Sequence, residues 1–226
     1  MLEIKVIGLG GIGCALLPPL ARYLHYAGTG CRLTLVDGDA FEQRNLPRQS
    51  FRAAGNKARV KAEELAREFT GLSVRAIPEF VTPANASDLV RNGDVVFLGV
   101  DNHRTRKVVS DHCERLPAIL LISGGNEWTD GNVQVYCRQG GRDLSAPLTR
   151  FHPEIAFPGD GSPADASCDA AVTAGAPQLL FMNLAVASAM LNAFYAWQQG
   201  GVRYGEVYLD ILAGRSQPVE RGGSRE

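Results

Sequence analysis

The sequence predicts an α/β fold: a Rossmann-like, mostly parallel sheet with helices on both faces, antiparallel edge strands, and a C-terminal helix and hairpin. Three observations carry that expectation. The β-branched run Ile4-Lys5-Val6-Ile7 stops at Gly8-Leu9-Gly10-Gly11-Ile12-Gly13, and an apolar-periodic stretch follows, so a strand turns tightly into a helix. Two further apolar runs, Cys31 to Val36 and Asp94 to Val100, each deliver an aspartate at their C-terminal end, Asp37 and Asp101. Segments of helical period separate these runs, and strands alternating with helices build parallel sheets.

Taken in order, the glycine cluster has the spacing of a dinucleotide fingerprint. One glycine permits the turn, a second lets phosphate approach the backbone, a third lets helix and strand pack closely, and the helix amides face an anion. Such a turn taken alone also serves purely structural ends. The first helix covers residues 12 to 28, with Ile12, Leu16, Leu17, Leu20, Tyr23 and Leu24 at helical spacing. Pro18 and Pro19 remove backbone bonds and crowd the preceding turn, which predicts a kink or restart; Gly28-Thr29-Gly30 ends the helix. Asp37 then lies some twenty-odd residues past the glycines, where a carboxylate meets ribose hydroxyls, although Asp37-Gly38 also reads as a turn pair.

The loop from Asp39 to Gly55 is rich in planar donors: Arg44, Asn45, Arg48, Gln49 and Arg52. Arginine forks match phosphate oxygens, and Lys57, in the first turn of an amphipathic helix over 56 to 70, adds a point charge. Arg44, Arg52, Arg59 and Lys61 read as an ordinary charged surface. A strand over 73 to 77 and a small helix over 83 to 91 lead to the central strand that ends at Asp101 and Asn102. Ligands bind outside the carboxyl ends of such strands, so the glycine loop, Asp37 and Asp101 are expected at one crevice.

A helix over 104 to 115 and a strand over 118 to 123 follow, and Val133 to Cys137 alternates as an antiparallel strand at the sheet edge. Residues 138 to 175 are rich in Gly, Pro, Ser and Asp without periodicity, a loop long enough to be functional or mobile, and Cys168 lies within it. The uncharged run from Leu179 to Trp197 is long enough to cross a bilayer. Asn183, Ser188, Asn192, several alanines and the flanks Gln178 and Gln198 point instead to a helix in the core or a subunit interface. A hairpin over 206 to 219, turning at Ala213-Gly214-Arg215, closes the pattern.

With 226 residues, 45% of them hydrophobic, one domain over 1 to 226 is expected. It divides into a nucleotide-binding half over about 1 to 123, the long loop, helix and hairpin over about 124 to 220, and a disordered tail over 221 to 226. A net charge of -1 gives no field for gripping nucleic acid or an anionic membrane, so neither is expected as a partner. Cys14, Cys31, Cys113, Cys137 and Cys168 are odd in number, contain no CxxC pair, and lack metal-ligand spacing with His25, His103, His112 and His152. That predicts neither a disulfide framework nor a zinc site. With strand one starting almost at Met1 and no signal peptide before it, a reducing cytoplasm is the expected compartment.

In sequence order stand GLGGIG, Asp37-Gly38-Asp39, Asn45-Leu46-Pro47-Arg48-Gln49, Lys57, and Asp101-Asn102 with Arg106. This set, spanning residues 4 to 106, resembles the ThiF/MoeB superfamily, whose members adenylate the C-termini of ubiquitin-like proteins. The resemblance implies ATP and magnesium as cofactors. Asp37 would hold the ribose, Arg48 and Lys57 the phosphates, and Asp101 the magnesium; Gly8, Gly10, Gly11, Gly13, Asp39, Asn45, Gln49 and Asn102 complete the nucleotide site. It further implies a ubiquitin-like or sulfur-carrier protein as partner and a homodimer. Ser167-Cys168, the helix from Gln178 to Asn183 and the hairpin from Val207 to Ser216 are similar to the ThiF-family protein of plasmid-borne PRTRC systems. Cys168 falls near the catalytic thiol of some relatives, while the neighbouring Asp165 and Asp169 weaken its thiolate. Two departures are an N-terminal arginine, with no residues before strand one to carry it, and the paired zinc cysteines of many relatives. The alternatives are an NAD-linked oxidoreductase, for which GLGGIG and Asp37 suffice, and a nucleotide-binding accessory protein without catalysis.

The physics of adenylation agrees with these residues. A carboxylate attacking an α-phosphate brings anion to anion, so the site must supply positive charge and alignment. No G-x-x-x-x-G-K-[ST] motif is present, which excludes a P-loop as the source of the lysine.

Overall fold

A computed structural model describes residues 2–28, 30–161 and 179–222. Strand β1 (Glu3–Ile7) turns at the glycine cluster into helix α1 (Gly11–Ala27), and β2 (Arg32–Val36) returns parallel to β1, pairing Val6 with Leu35 and Ile7 with Val36. A two-stranded ribbon, β3 (Ala40–Phe41) with β4 (Gly55–Asn56), ties the ends of the arginine loop together. Helix α2 (Lys57–Glu68), β5 (Ser73–Ile77), α3 (Ala86–Leu89), β6 (Val95–Leu98) and α4 (His103–Cys113) complete the parallel half. The chain then runs through β7 (Ile119–Asn126), β8 (Asp130–Gln139), β9 (Arg142–Asp143), α5 (Pro153–Ala156), α6 (Leu180–Gln198), β10 (Glu206–Asp210) and β11 (Arg215–Val219).

The sheet order is β11-β10-β8-β7-β6-β1-β2-β5, with β5, β2, β1, β6 and β7 parallel and β8, β10 and β11 added antiparallel. Helices α1, α2 and α6 cover one face, around Val6, Leu33, Phe97, Ile122 and Val133. Helices α3, α4 and α5 serve the other, around Ile7, Val96, Leu121 and Tyr136. The chain leaves β1 toward β2 on one side and comes back as β6 on the other, so the crevice at the ends of β1 and β6 is the switch point of the sheet.

Three expectations are corrected here. The first helix does not restart at Pro18 and Pro19; it runs unbroken to Gly28, which caps it at φ 63. Both prolines are exposed, while Ile12, Leu16, Leu17, Leu20 and Leu24 form a continuous buried stripe that holds the helix on the sheet. Strand β8 is interior, because β10 pairs with its outer side and leaves β11 as the edge. Alternation in a single segment cannot reveal a partner strand some 70 residues away in sequence, as with Gln134 beside Glu206. Finally, the described part of the long loop carries β9 and α5, elements too short to show a period.

The uncharged run forms α6 and packs on α1 and on strands β7 and β8. Met182, Asn183, Val186, Ala187, Met190, Ala193 and Phe194 are its buried face, whereas Leu180, Phe181, Leu184 and Tyr195 are exposed. It is a helix long and apolar enough to cross a membrane, yet one whole face of it is core.

Candidate active site

The glycine loop is built by close approach. Gly8 has φ 88, and a Cβ there would lie 2.8 Å from the Gly99 carbonyl carbon at the end of β6. At Gly13 a Cβ would lie 2.2 Å from the Gly8 oxygen, so only glycine lets α1 sit this near β1. Gly10, with nothing within 4 Å, opens onto the cleft. Gly11 differs from expectation: a Cβ there would strike the Asn183 side chain at 2.2 Å, so this glycine admits α6 although its backbone lines the cleft. The first-turn amides of α1 lack intrahelical acceptors and carry the positive end of the helix dipole.

Asp37 is fastened to that loop. Its Oδ2 accepts from Leu9 N at 2.6 Å and its Oδ1 from Asp39 N at 2.8 Å. Burial pushes its carboxyl upward against the opposing charge of Lys57. Asn56, the N-cap of α2, donates to the carbonyls of Asp37 and Asp39 at 2.9 and 3.0 Å, which sets Lys57 beside them. The Lys57 ammonium, buried, pairs with Asp39 Oδ2 at 3.1 Å. Phe41 stacks on Phe51 at 4.3 Å between ring centroids and, with Cys14 and Val60, roots the arginine loop in the fold. Lys61 is not on an open surface as expected but buried, paired with Glu64 at 2.7 Å.

Within the loop, Asn45 spends its side chain on Glu42 N at 3.0 Å, a capping role. Arg48 Nε and Gln49 Oε1 are both shut from solvent with no hydrogen-bond partner among the described residues. Buried polar groups without partners are costly, and at a cleft wall they mark where a ligand completes the bonding. Arg44 is exposed and held by Glu42 at 2.7 Å.

At the end of β6, Asp101 is exposed to the cleft, while Asn102 caps α4 by accepting from Thr105 N at 2.8 Å. Asp160 takes the next two amides of α4, from His103 and Arg104, at 2.6 and 3.1 Å. Arg106, buried, donates to Ser123 Oγ at 3.1 Å and to the Val100 and Gly124 carbonyls at 2.8 Å each, locking the ends of β6 and β7 together. Burial lowers its guanidinium to about 10, so it remains a cation.

These residues line one cleft of about 1330 Å³. Gly8, Gly10, Gly11, Asp37, Asp39, Asn45, Arg48, Gln49, Lys57, Asp101 and Asn102 all reach it, and Gly13 stands behind it as a packing residue. Cys168 lies outside the described residues. Sequence reasoning missed the wall formed by Phe80 and Val81, with Phe80 laid against Gly38, where a Cβ would meet its ring at 2.6 Å. It also missed the far end, where His152, Glu154, Asn132, Gln134 and Tyr208 continue the cleft. Only the Pro at the first turn of α5 marks that end in the sequence.

Comparison with known proteins follows the same outline. A profile described as the ThiF family matches residues 2–196. The chain is 41% identical over 142 residues to adenylyltransferase and sulfurtransferase MOCS3 from Bos taurus, covering 61% of this chain and 30% of that protein. The corresponding protein from Mus musculus is 40% identical over 142 residues, with the same coverage. The chain thus spans about a third of the length of these relatives. Among solved structures, E. coli MccB with MccA-N7isoASN superimposes with a TM-score of 0.76 at 16% identity over 99% of this chain and 65% of that one. PaaA does so with a TM-score of 0.72 at 18% identity, over 100% of this chain and 65% of that one. At such identities these two structures speak for the fold alone. The chain belongs to the ThiF family.

Proposed function

From that membership we propose that the chain is an ATP-dependent adenylyltransferase that activates a carboxylate, the C-terminus of a ubiquitin-like or sulfur-carrier protein. The observation that carries this reading is that two cations line the same cleft as the start of α1: Lys57, and Arg48 with its Nε buried and unpartnered among the described residues. A hydride-transfer site needs no such cluster, whereas attack on a phosphate does.

In the reaction the acceptor carboxylate oxygen attacks the α-phosphorus, the bond to the bridging oxygen breaks, and pyrophosphate leaves. Asp37 orients the ribose, with Phe80 and Val81 as an apolar wall for the base. Lys57 exchanges Asp39 for phosphate oxygens, and Arg48 adds its fork. Magnesium, when bound, neutralises phosphate charge. No group of three or more His, Cys, Asp or Glu is clustered for a metal among the described residues. Asp101 suits magnesium as one carboxylate, because this ion takes most of its ligands from phosphates and water. The exposed face of α6, with Phe181, Leu184 and Tyr195, suits a second copy of the chain, which a mass measurement in solution checks.

At about 1330 Å³ the cleft exceeds the roughly 300–1,000 Å³ of ordinary small-molecule sites, which leaves room for an acceptor beside ATP. Exchange of labelled pyrophosphate into ATP, with magnesium and carrier proteins ending in Gly-Gly, tests the reading. Exchange that depends on the carrier's free carboxylate supports it; no exchange with any such carrier, and no ATP binding, overturns it.

A further inference from the structure

The far wall of the cleft is held by a charged cluster that nucleotide chemistry leaves unused. His152, 9% exposed, precedes α5, and each of its ring nitrogens faces a carboxylate. Nδ1 lies 2.7 Å from Glu154 Oε1, and Nε2 lies 2.8 Å from Glu206 Oε1. Glu206, on β10, is 1% exposed and also accepts from Asn132 Nδ2 at 2.8 Å and Arg221 Nε at 3.1 Å. The Arg221 guanidinium lies 4.5 Å over the Phe151 ring, and it fits because position 205 is glycine, where a Cβ would come within 2.3 Å of Arg221 Cβ.

A neutral imidazole carries one N–H; it can satisfy one carboxylate and must aim a lone pair at the other. With a carboxylate at each nitrogen, the imidazolium is the form that fits. The Nε2 contact lies off the ideal N–H direction, so it holds as an ion pair more than as an aligned hydrogen bond.

We propose that His152 is a positioning residue: as an imidazolium it clamps the α5 wall to β10, so the far half of the cleft loosens when His152 loses its proton while the nucleotide half does not. Among the described residues, these charged groups face the clamp. Glu154 on α5 and Glu206 on β10 favour the cation, while Arg221 behind Glu206 opposes it. Tyr208 is neutral beside Glu206, and His103 and Arg106 on α4 act on Glu154. The Glu206 carboxylate at Nε2 outweighs burial and raises the His152 value above the usual imidazole range. Burial alone would raise Glu206, but bonds from His152 and Asn132, with the His152 charge, outweigh it and bring the carboxyl down to about 2. The His152 contribution is therefore complete below the ordinary imidazole value and is lost as pH rises through the raised one. The Glu206 contribution fails only in acid, between the ordinary carboxylate range and about 2.

Turnover consequences rest on the adenylation reading; the clamp itself does not. The test uses the full chain, with ring resonances of its four histidines followed against pH, His152 assigned by its loss in His152→Gln, and amide hydrogen exchange read over 151–157 and over 10–16. We expect His152 to titrate above the usual range and Glu206→Gln to return it toward that range. Protection over 151–157, corrected for intrinsic chemistry, should fall on the order of tenfold across the His152 titration, with residues 10–16 and ATP binding unmoved. His152→Gln should abolish that step. Should Glu206→Gln fail to fold, Glu154→Gln, at the exposed end of the clamp, should shift the titration in the same direction by less. A His152 value at or below the usual range, or equal loss of protection at both segments, overturns the clamp. Absence of ATP binding at every pH would instead count against the adenylation reading and leave this result standing.

Discussion

At one end of the cleft, parallel strands β1, β2 and β6 stop at glycines and aspartates; at the other, the end of β7 and the antiparallel strands β8 and β10 present amides and carboxylates. The two ends differ in how they hold charge. The nucleotide end keeps cations available: Lys57 leans on an exposed Asp39, and Arg48 has an unpartnered Nε. The far end spends its charges on one another, through His152, Glu154, Glu206 and Arg221. A site that must receive a polyanion needs unspent positive charge, whereas a wall that must keep its shape needs charge already matched.

The sharpest way to separate the ends is to remove the unspent charges. Lys57→Ala, and Asp101→Ala through the magnesium it would hold, should each lower pyrophosphate exchange on the order of a thousandfold, going by the weight of single cations in phosphoryl transfer. Melting temperatures should scarcely move for Asp101→Ala, because that side chain is exposed. Next in size is the lock between the two ends. Arg106→Leu leaves Ser123 and two carbonyls unpaired in the interior and should cost about 2–4 kcal/mol of stability, read by denaturant unfolding.

The glycines sharpen the contrast within the nucleotide end. Gly13→Ala drives a Cβ into the Gly8 oxygen and should destabilise by about 1–3 kcal/mol. Gly10→Ala meets nothing within 4 Å, so its stability should stay within about 1 kcal/mol while ATP affinity falls, since the methyl projects where phosphate approaches. Titration calorimetry beside thermal melts distinguishes the pair. The smallest effect belongs to Arg44→Ala: its pair with Glu42 is exposed, so stability should change by less than about 0.5 kcal/mol.

The legibility of each end in the sequence follows from the same difference. Gly8 to Gly13, Asp37, Lys57 and Asp101 each lie at or near the end of a strand or the start of a helix that its own neighbours mark out, so short-range pattern reaches them. Asn102 and Asn45 are read there as ligand groups; both line the cleft, and each also gives its Oδ1 to a backbone amide three residues away, the usual use of such side chains at turns and caps. Gly11 could not be assigned its neighbour, because Asn183 arrives from a helix about 170 residues later; that amide is 0% exposed, with neither polar atom partnered among the described residues. The His152 cluster gathers residues 132, 152, 154, 206 and 221 and has no local signature beyond Pro153. The unbroken α1 shows tertiary burial overriding two prolines, which local rules weigh as a break.

The adenylation proposal requires the glycine loop to open an ATP site and not a dinucleotide site. Equilibrium titration of the full chain with ATP and magnesium, and separately with NADH, tests it most directly. Saturable ATP binding that weakens in Lys57→Ala and Arg48→Ala, with NADH failing to compete, is the expected result; tight NADH binding without ATP binding would overturn the adenylation proposal.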